Sequence, residues 1–266
     1  SVLSGKYYVL YGTNTAETEY CDAPTLQDLA TKTNNNLKAY GFLTVTDGQT
    51  TASINLNLTY ARLKFNIVNK EKLKDGKFYC GMWSPKVGFS QGKVITENGL
   101  VLKEGNAYNR RVDFGVHSST TENTALVLPN DLRNDKVYFY VYGSDNSGNH
   151  VTYEFVKDGV NLQGGKSYNI TLNLNYSDQV TTLTQNGTGD YLLNSAAEFR
   201  AAAYWHNGSN EYLVNADVNF AGQPYFEINA KGLKGDNHTL KNISIDFPGH
   251  TLGVLKQGYI QDLTLE

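Results

Sequence analysis

The chain has 266 residues and a formal net charge of -3, with 18% charged side chains, so it offers no basic field for nucleic acid. It uses 19 Tyr and 1 Met, and its polar load falls on Asn, Thr, Ser and Gly, a balance that favours strands and turns over long helices. No apolar run approaches the roughly 18 residues of a membrane helix, and the length suits two domains or one large all-β domain.

The chain begins at Ser1, not Met, and has no signal-peptide pattern, so any secretion signal or lipid-anchor cysteine would lie upstream. Cys21 and Cys80 permit one disulfide in an exported protein, and equally two separate thiols. No CxxC pair occurs, so a cysteine-based metal site is not expected.

In chain order, Tyr7–Tyr11 reads as a strand, and Thr25-Leu26-Gln27-Asp28 as the capped start of a short helix. Phe42–Val45 and the Asp47-Gly48 turn suit a hairpin. Ile54, Leu56, Leu58 and Tyr60 share one face, and Leu63, Phe65 and Ile67 continue the period after Ala61-Arg62. Two strands with a bulge, or one long bent strand, both fit. Val94–Thr96, Val101-Leu102, Val112–Phe114 and Ala125–Leu128 are short strand candidates, the last ended by Pro129. Val137–Tyr142 is apolar on both faces and so belongs in the middle of a sheet or under an aromatic surface. Asp145–Gly148 turns it back into Val151–Val156. Gly164-Gly165 then opens an alternating stretch in which Ile170, Leu172, Leu174 and Tyr176 oppose Asn169, Thr171, Asn173 and Asn175. This stretch is expected to be the last strand of the first unit. Many short strands separated by turn signals predict an antiparallel β-sandwich over residues 1–176. Residues 177–189, poor in apolar side chains, predict a linker.

After Asp190 the rhythm changes. Tyr191-Leu192-Leu193 is a short strand, and Ser195-Ala196-Ala197-Glu198 is a capping box leading a helix to Trp205, stopped by Asn207-Gly208. Leu213–Val218, Leu240–Ile245 and Ile260–Leu265 share a pattern of apolar residue, Asn or Asp two later, and apolar residue at the sixth place. Such a non-helical repeat predicts coils of a parallel β-solenoid, with Asn or Asp turning corners or forming a ladder. An open end at Glu266 is expected to be continued or capped by a partner.

Residues of about 50–176, through Leu58-Thr59-Tyr60-Ala61-Arg62-Leu63-Lys64-Phe65-Asn66-Ile67 and Leu162-Gln163-Gly164-Gly165-Lys166-Ser167-Tyr168-Asn169-Ile170-Thr171-Leu172, resemble the fimbrillin-like family of surface proteins of gut and oral Gram-negative anaerobes. The resemblance implies a transthyretin-like β-sandwich used in pili or adhesion, with residues 1–58 as a shortened N-terminal part. Residues 190–266, through Tyr191–Leu193, the helix, Tyr212–Val218 and Leu233–Ile243, resemble the opening of right-handed β-helix modules on surface proteins of the same bacteria. The helix then caps the first coil.

The chemistry is sparse. Asp217, Asp236, Asp246 and Asp262 are candidate acids, but glycoside cleavage needs a carboxyl pair at a set separation, and Asp262 sits in the corner slot of Asn215 and Asn242. His117, His150, His206, His238 and His250 lack metal spacing, and no HExxH, GxSxG, phosphate loop or calcium loop occurs. No cofactor or metal is expected. Tyr138, Tyr140 and Tyr142 share a strand face and form the candidate ligand-binding surface. They either stack on a sugar or partner, or lie under a second sheet or the other domain, the place the burial habits of tyrosine favour. The sequence therefore predicts an all-β chain, an antiparallel β-sandwich followed by a short right-handed parallel β-helix (190–266) with one capping helix. Its expected role is an exported, outer-membrane or cell-surface adhesin or fimbrial accessory subunit. Its partners would be host or bacterial surface glycans or proteins, or other pilus subunits, with no nucleic acid. The alternative is a carbohydrate-binding protein or the front part of a polysaccharide-degrading enzyme.

Overall fold

The computed structural model describes residues 3–11, 20–21, 38–85, 93–96, 99–102, 111–117, 123–205, 207–223, 225–244 and 253–266. The first part of the chain supplies β1 (Gly5–Tyr11), β2 (Tyr20–Cys21), β3 (Ala39–Val45), β4 (Asn57–Leu58), β5 (Ala61–Val68), β6 (Phe78–Trp83) and β7 (Lys93–Thr96). It continues with β8 (Gly99–Leu102), β9 (Arg111–His117), β10 (Asn123–Val127), β11 (Asn130–Ser144), β12 (His150–Leu162), β13 (Ser167–Asn173) and β14 (Gln179–Leu183). The second part supplies β15 (Tyr191–Leu193), helix α1 (Ala196–Trp205), β16 (Glu211–Val214), β17 (Val218–Asn219), β18 (Ile228–Lys234), β19 (Thr239–Lys241), β20 (Leu255–Gln261) and β21 (Thr264–Leu265). The chain is all-β apart from α1 and short 3-10 turns among the described residues.

Two sheets share the first core. One is antiparallel, in the order β14-β12-β11-β6-β9; the other is β10-β5-β13, with β13 parallel to β5. Alternation on β5 sends Ala61, Leu63, Phe65 and Ile67 inward to meet Val137, Phe139 and Val141 of β11, and the Phe65 and Phe139 rings meet edge-on at 6.0 Å. Each fully buried Leu or Phe of this kind contributes about 1.5–3 kcal/mol. The long β11–β12 hairpin is closed by Asp145, whose carboxylate accepts the amides of Ser147 and Asn149, with Gly148 at φ 89. Two small sheets, β1-β3-β4 and β2-β7-β8, flank this body.

The second part pairs in parallel throughout, as β15-β16-β18-β20 and β17-β19-β21. From β16 onward each circuit of chain gives one strand to each sheet, and successive circuits stack. The corners carry left-handed backbone at Asp236 (φ 47), Asn237 (φ 64), Asn242 (φ 55) and Asp262 (φ 48), residue types that tolerate it. Asn side chains bridge successive circuits, Asn215 to Asn194 at 3.1 Å and Asn242 to Asn219 at 2.9 Å. Helix α1 starts as expected: Ser195 Oγ accepts the Glu198 amide at 3.3 Å, and the Glu198 carboxylate accepts the amide of Asn194.

Several expectations change. Residues 177–189 are not a linker throughout, because β14 lies within them and completes the five-stranded sheet. Its inward residues are Thr181 and Leu183 while Val180 faces solvent, so the strand shows little apolar periodicity although threonine is a good strand former. The 164–176 stretch is consequently not the last strand of its unit. Its alternation also stops early: the Asn173 carboxamide accepts the Asn175 amide, starting a 3-10 turn that leaves Tyr176 80% exposed. Of the expected Ile54–Tyr60 strand only Asn57-Leu58 pairs, at the edge of the small sheet with Leu56 and Leu58 exposed. The circuits stack, but the expected repeat does not align copy for copy: Leu213 and Ile260 lie in one sheet and Leu240 in the other, where it pairs with Val218 and Leu265, while Leu213 lies beside Lys234 and then Gln261. Loops between strands differ in length from circuit to circuit, so a fixed sequence offset cannot report the register. The helix expected from Thr25 lies outside the described residues, as does the side chain of Cys21; Cys80 is buried in the first core.

Candidate functional site

The tyrosines that the sequence marks as a ligand surface lie in the seam between the two parts. Tyr140 is 0% and Tyr142 4% exposed, and Tyr138 is half-buried. Tyr138 stacks on Trp83 (centroids 3.9 Å, planes 3° apart), Tyr140 on Tyr204 of α1 (4.0 Å, 5°), and Tyr142 on Tyr79 (4.9 Å, 8°). This corrects the binding-surface expectation. β11 is central, and α1 with the second part covers the face opposite the first core, so its aromatic row is an internal joint.

A polar network crosses the same joint. Arg200 makes a bidentate pair with Glu154 (3.2 and 3.0 Å) and donates to Gln223 at 2.9 Å. Tyr204 donates to Glu154 at 2.7 Å and accepts from Trp83 Nε1 at 2.8 Å. Burial opposes the Arg200 charge, but the hydrogen bonds and charge of Glu154 outweigh it and hold the guanidinium pKa above its ordinary value. Burial likewise pushes the Tyr204 phenol well up. These groups are consumed by one another and are not exposed for chemistry. At the rim of the joint His150 lies 3.5 Å (centroids) from the parallel Trp205 ring and 3.0 Å from the Tyr191 hydroxyl, and burial lowers its pKa to about 4.

The candidate acids do not converge. Asp217 accepts the Thr239 amide at 2.9 Å and faces His238 Nδ1 at 3.3 Å, and these two contacts, the amide first, hold its carboxyl below the usual range. Asp236 and Asp262 occupy left-handed corners, the role the sequence proposes for Asp262. Asp246, His206 and His250, and the side chain of His117, lie outside the described residues. Among the described residues no cluster of three His, Cys, Asp or Glu is arranged to hold a metal. On the second part Glu211 gathers Lys231 (3.0 Å), Lys234 (3.1 Å) and the Tyr259 hydroxyl (3.0 Å), Lys231 first among the contacts that lower its pKa to about 2. This ladder runs across β16, β18 and β20 and pins neighbouring circuits together.

The feature that sequence reasoning missed is a groove where the small sheets meet the ends of β11 and β12. Its volume is about 480 Å³, and Asn57, Asn161, Gln163 and Lys166 line it together with Tyr40 and Pro129. Lys93, the first residue of β7, also lines it and is only 7% exposed. Its ammonium donates to the carbonyl of Pro129, a residue with no N–H of its own to give a ladder. Burial lowers the Lys93 pKa to about 8. In the sequence Lys93 is an ordinary lysine ahead of a short strand, and Gln163–Lys166 reads as a turn; only the topology brings them together.

No protein-family model and no curated protein sequence matches the chain. Among solved structures it is similar to a Bacteroides ovatus protein described as a "putative cell adhesion protein", with 20% identity over 69% of this chain and 68% of that one and a TM-score of 0.38. At that TM-score the similarity carries no argument about fold or activity.

Proposed function

We propose that the chain is an exported cell-surface adhesin or fimbrial accessory subunit that acts by binding, without catalysis. In this reading the paired sheets of the first part are a β-sandwich of the fimbrillin-like type, and the parallel stacks are the opening coils of a right-handed β-helix. The observation that carries the reading is the amide-lined groove. It offers neutral side chains that each donate and accept, an apolar wall and a buried cation, and among its described lining residues one carboxylate, Asp131, already engaged by Arg133. Such a lining suits recognition of a polyhydroxylated or peptide-like ligand, whereas glycoside cleavage needs two facing carboxyls. The sequence resemblance of residues 50–176 supports the same reading, and no helix among the described residues is long and apolar enough to cross a membrane.

The test is a panel of host glycans and plant polysaccharides scored for both retention and chain cleavage. Retention without cleavage, weakened by Asn161→Ala and Gln163→Ala in the groove, is the expected outcome. Depolymerisation by the purified chain would overturn it in favour of a polysaccharide-degrading enzyme. Retention untouched by both substitutions would move the binding site elsewhere.

A further inference from the structure

Lys93 is a buried cation whose one hydrogen-bond partner among the described residues is the Pro129 carbonyl. Among the described residues no carboxylate pairs with it; Asp131, the acid in the same groove, is held by Arg133. A lone buried ammonium is costly unless an anion compensates it. Its lowered pKa, about 8, reflects that cost, yet the charged form still dominates at neutral pH. We propose that the groove binds the carboxylate of an acidic sugar, with Lys93 as its counter-ion; this inference rests on the adhesin reading above.

The rest of the lining fits that class. A volume of about 480 Å³ falls within the range of about 300–1,000 Å³ common for small-molecule sites. Asn57, Asn161 and Gln163 each present donor and acceptor atoms, which matches sugar hydroxyls that also do both. Tyr40 and Pro129 give a C–H face something to lie against, and Lys166 adds a second, exposed cation at the rim. A peptide carboxylate fits less well. An extended peptide is bound by adding to a strand edge, and the backbone of β4 here is already covered, since Gly164 lies directly against the Leu58 carbonyl.

The experiment is calorimetric titration of the whole chain with a galacturonate oligomer, its methyl ester, sialyllactose, lactose and a short peptide with a free C-terminus. The expected result is at least tenfold tighter binding of an acid form than of its neutral counterpart. Lys93→Met removes that preference, and Lys166→Ala weakens the acid forms severalfold. Above pH 8 the affinity of the acid forms falls about tenfold per pH unit in the wild-type chain while that of the neutral forms is flat, an arm that decides the matter even if Lys93→Met fails to fold. Equal binding of acid and neutral sugars, or a preference that survives Lys93→Met, would overturn this inference and leave the adhesin reading standing. Binding of the peptide alone would overturn the sugar assignment. No binding of any sugar would defeat both the inference and the adhesin reading of this groove.

Discussion

Arg200→Met is the sharpest test of how the two parts are joined. Arg200 and Glu154 have side chains only 8% and 6% exposed, so removing the guanidinium leaves a buried carboxylate with the Tyr204 hydroxyl as its main remaining side-chain partner. Breaking a buried pair in this way costs about 3–5 kcal/mol. Most of that is the penalty on the abandoned charge and little of it the net worth of the pair. Glu154→Leu with Arg200→Met together should therefore return to within about 2 kcal/mol of wild type, the remainder being the Glu154 acceptor lost by the Tyr204 O–H and the Arg200 donor lost by the Gln223 carboxamide. The assay is urea unfolding followed by tryptophan fluorescence. Both tryptophans, Trp83 and Trp205, pack in this joint, so the signal reports its opening directly. A loss below about 1 kcal/mol for Arg200→Met, or a double variant worse than either single one, would refute the reasoning.

Three further outcomes are expected. The fold favours the neutral form of His150, lowering its pKa to about 4 from the ordinary histidine value of 6.5. Its contribution is therefore complete above pH 6.5 and is lost as pH falls toward 4, by about 1–2 kcal/mol after discounting for the partly solvated ring beside Tyr191 and Trp205. His150→Phe should flatten the pH dependence of urea midpoints in that window. A Cβ at Gly164 would stand 1.9 Å from the Leu58 carbonyl oxygen, so Gly164→Ala should lower stability by about 2–3 kcal/mol, seen as a drop in Tm. At Asn242, φ 55, Gly should cost about 0.5–1 kcal/mol through the lost bridge to Asn219, whereas Asn242→Val adds the strain of the left-handed backbone and should cost about 2 kcal/mol; chemical denaturation of the two variants compares them.

Local signals, set by nearest neighbours, were legible in the chain itself. The alternation of Leu63, Phe65 and Ile67 depends only on the two-residue period of a strand, and the Ser195 capping box only on a reach of three residues. The two-faced apolar run Val137–Tyr142 points to a central strand or one lining an aromatic surface, and the sheet order makes it central. The corner role of Asp262 is expected from the Asn or Asp that recurs two residues after an apolar one, and its backbone is left-handed there. The tertiary structure decided everything that depends on partners far along the chain. Whether Tyr140 faces a ligand or Tyr204 turns on where α1 packs, and a tyrosine reads the same in either place. β14 could not be recognised because its stability comes from hydrogen bonds to β12, with little apolar periodicity of its own. The register of the stacked circuits is set by loop lengths and cross-circuit pairing, which no fixed repeat encodes. Lys93 becomes a buried cation only because β7, Pro129 and the β12–β13 turn, distant in sequence, close around it. The burial that changes its chemistry is a property of the assembled fold.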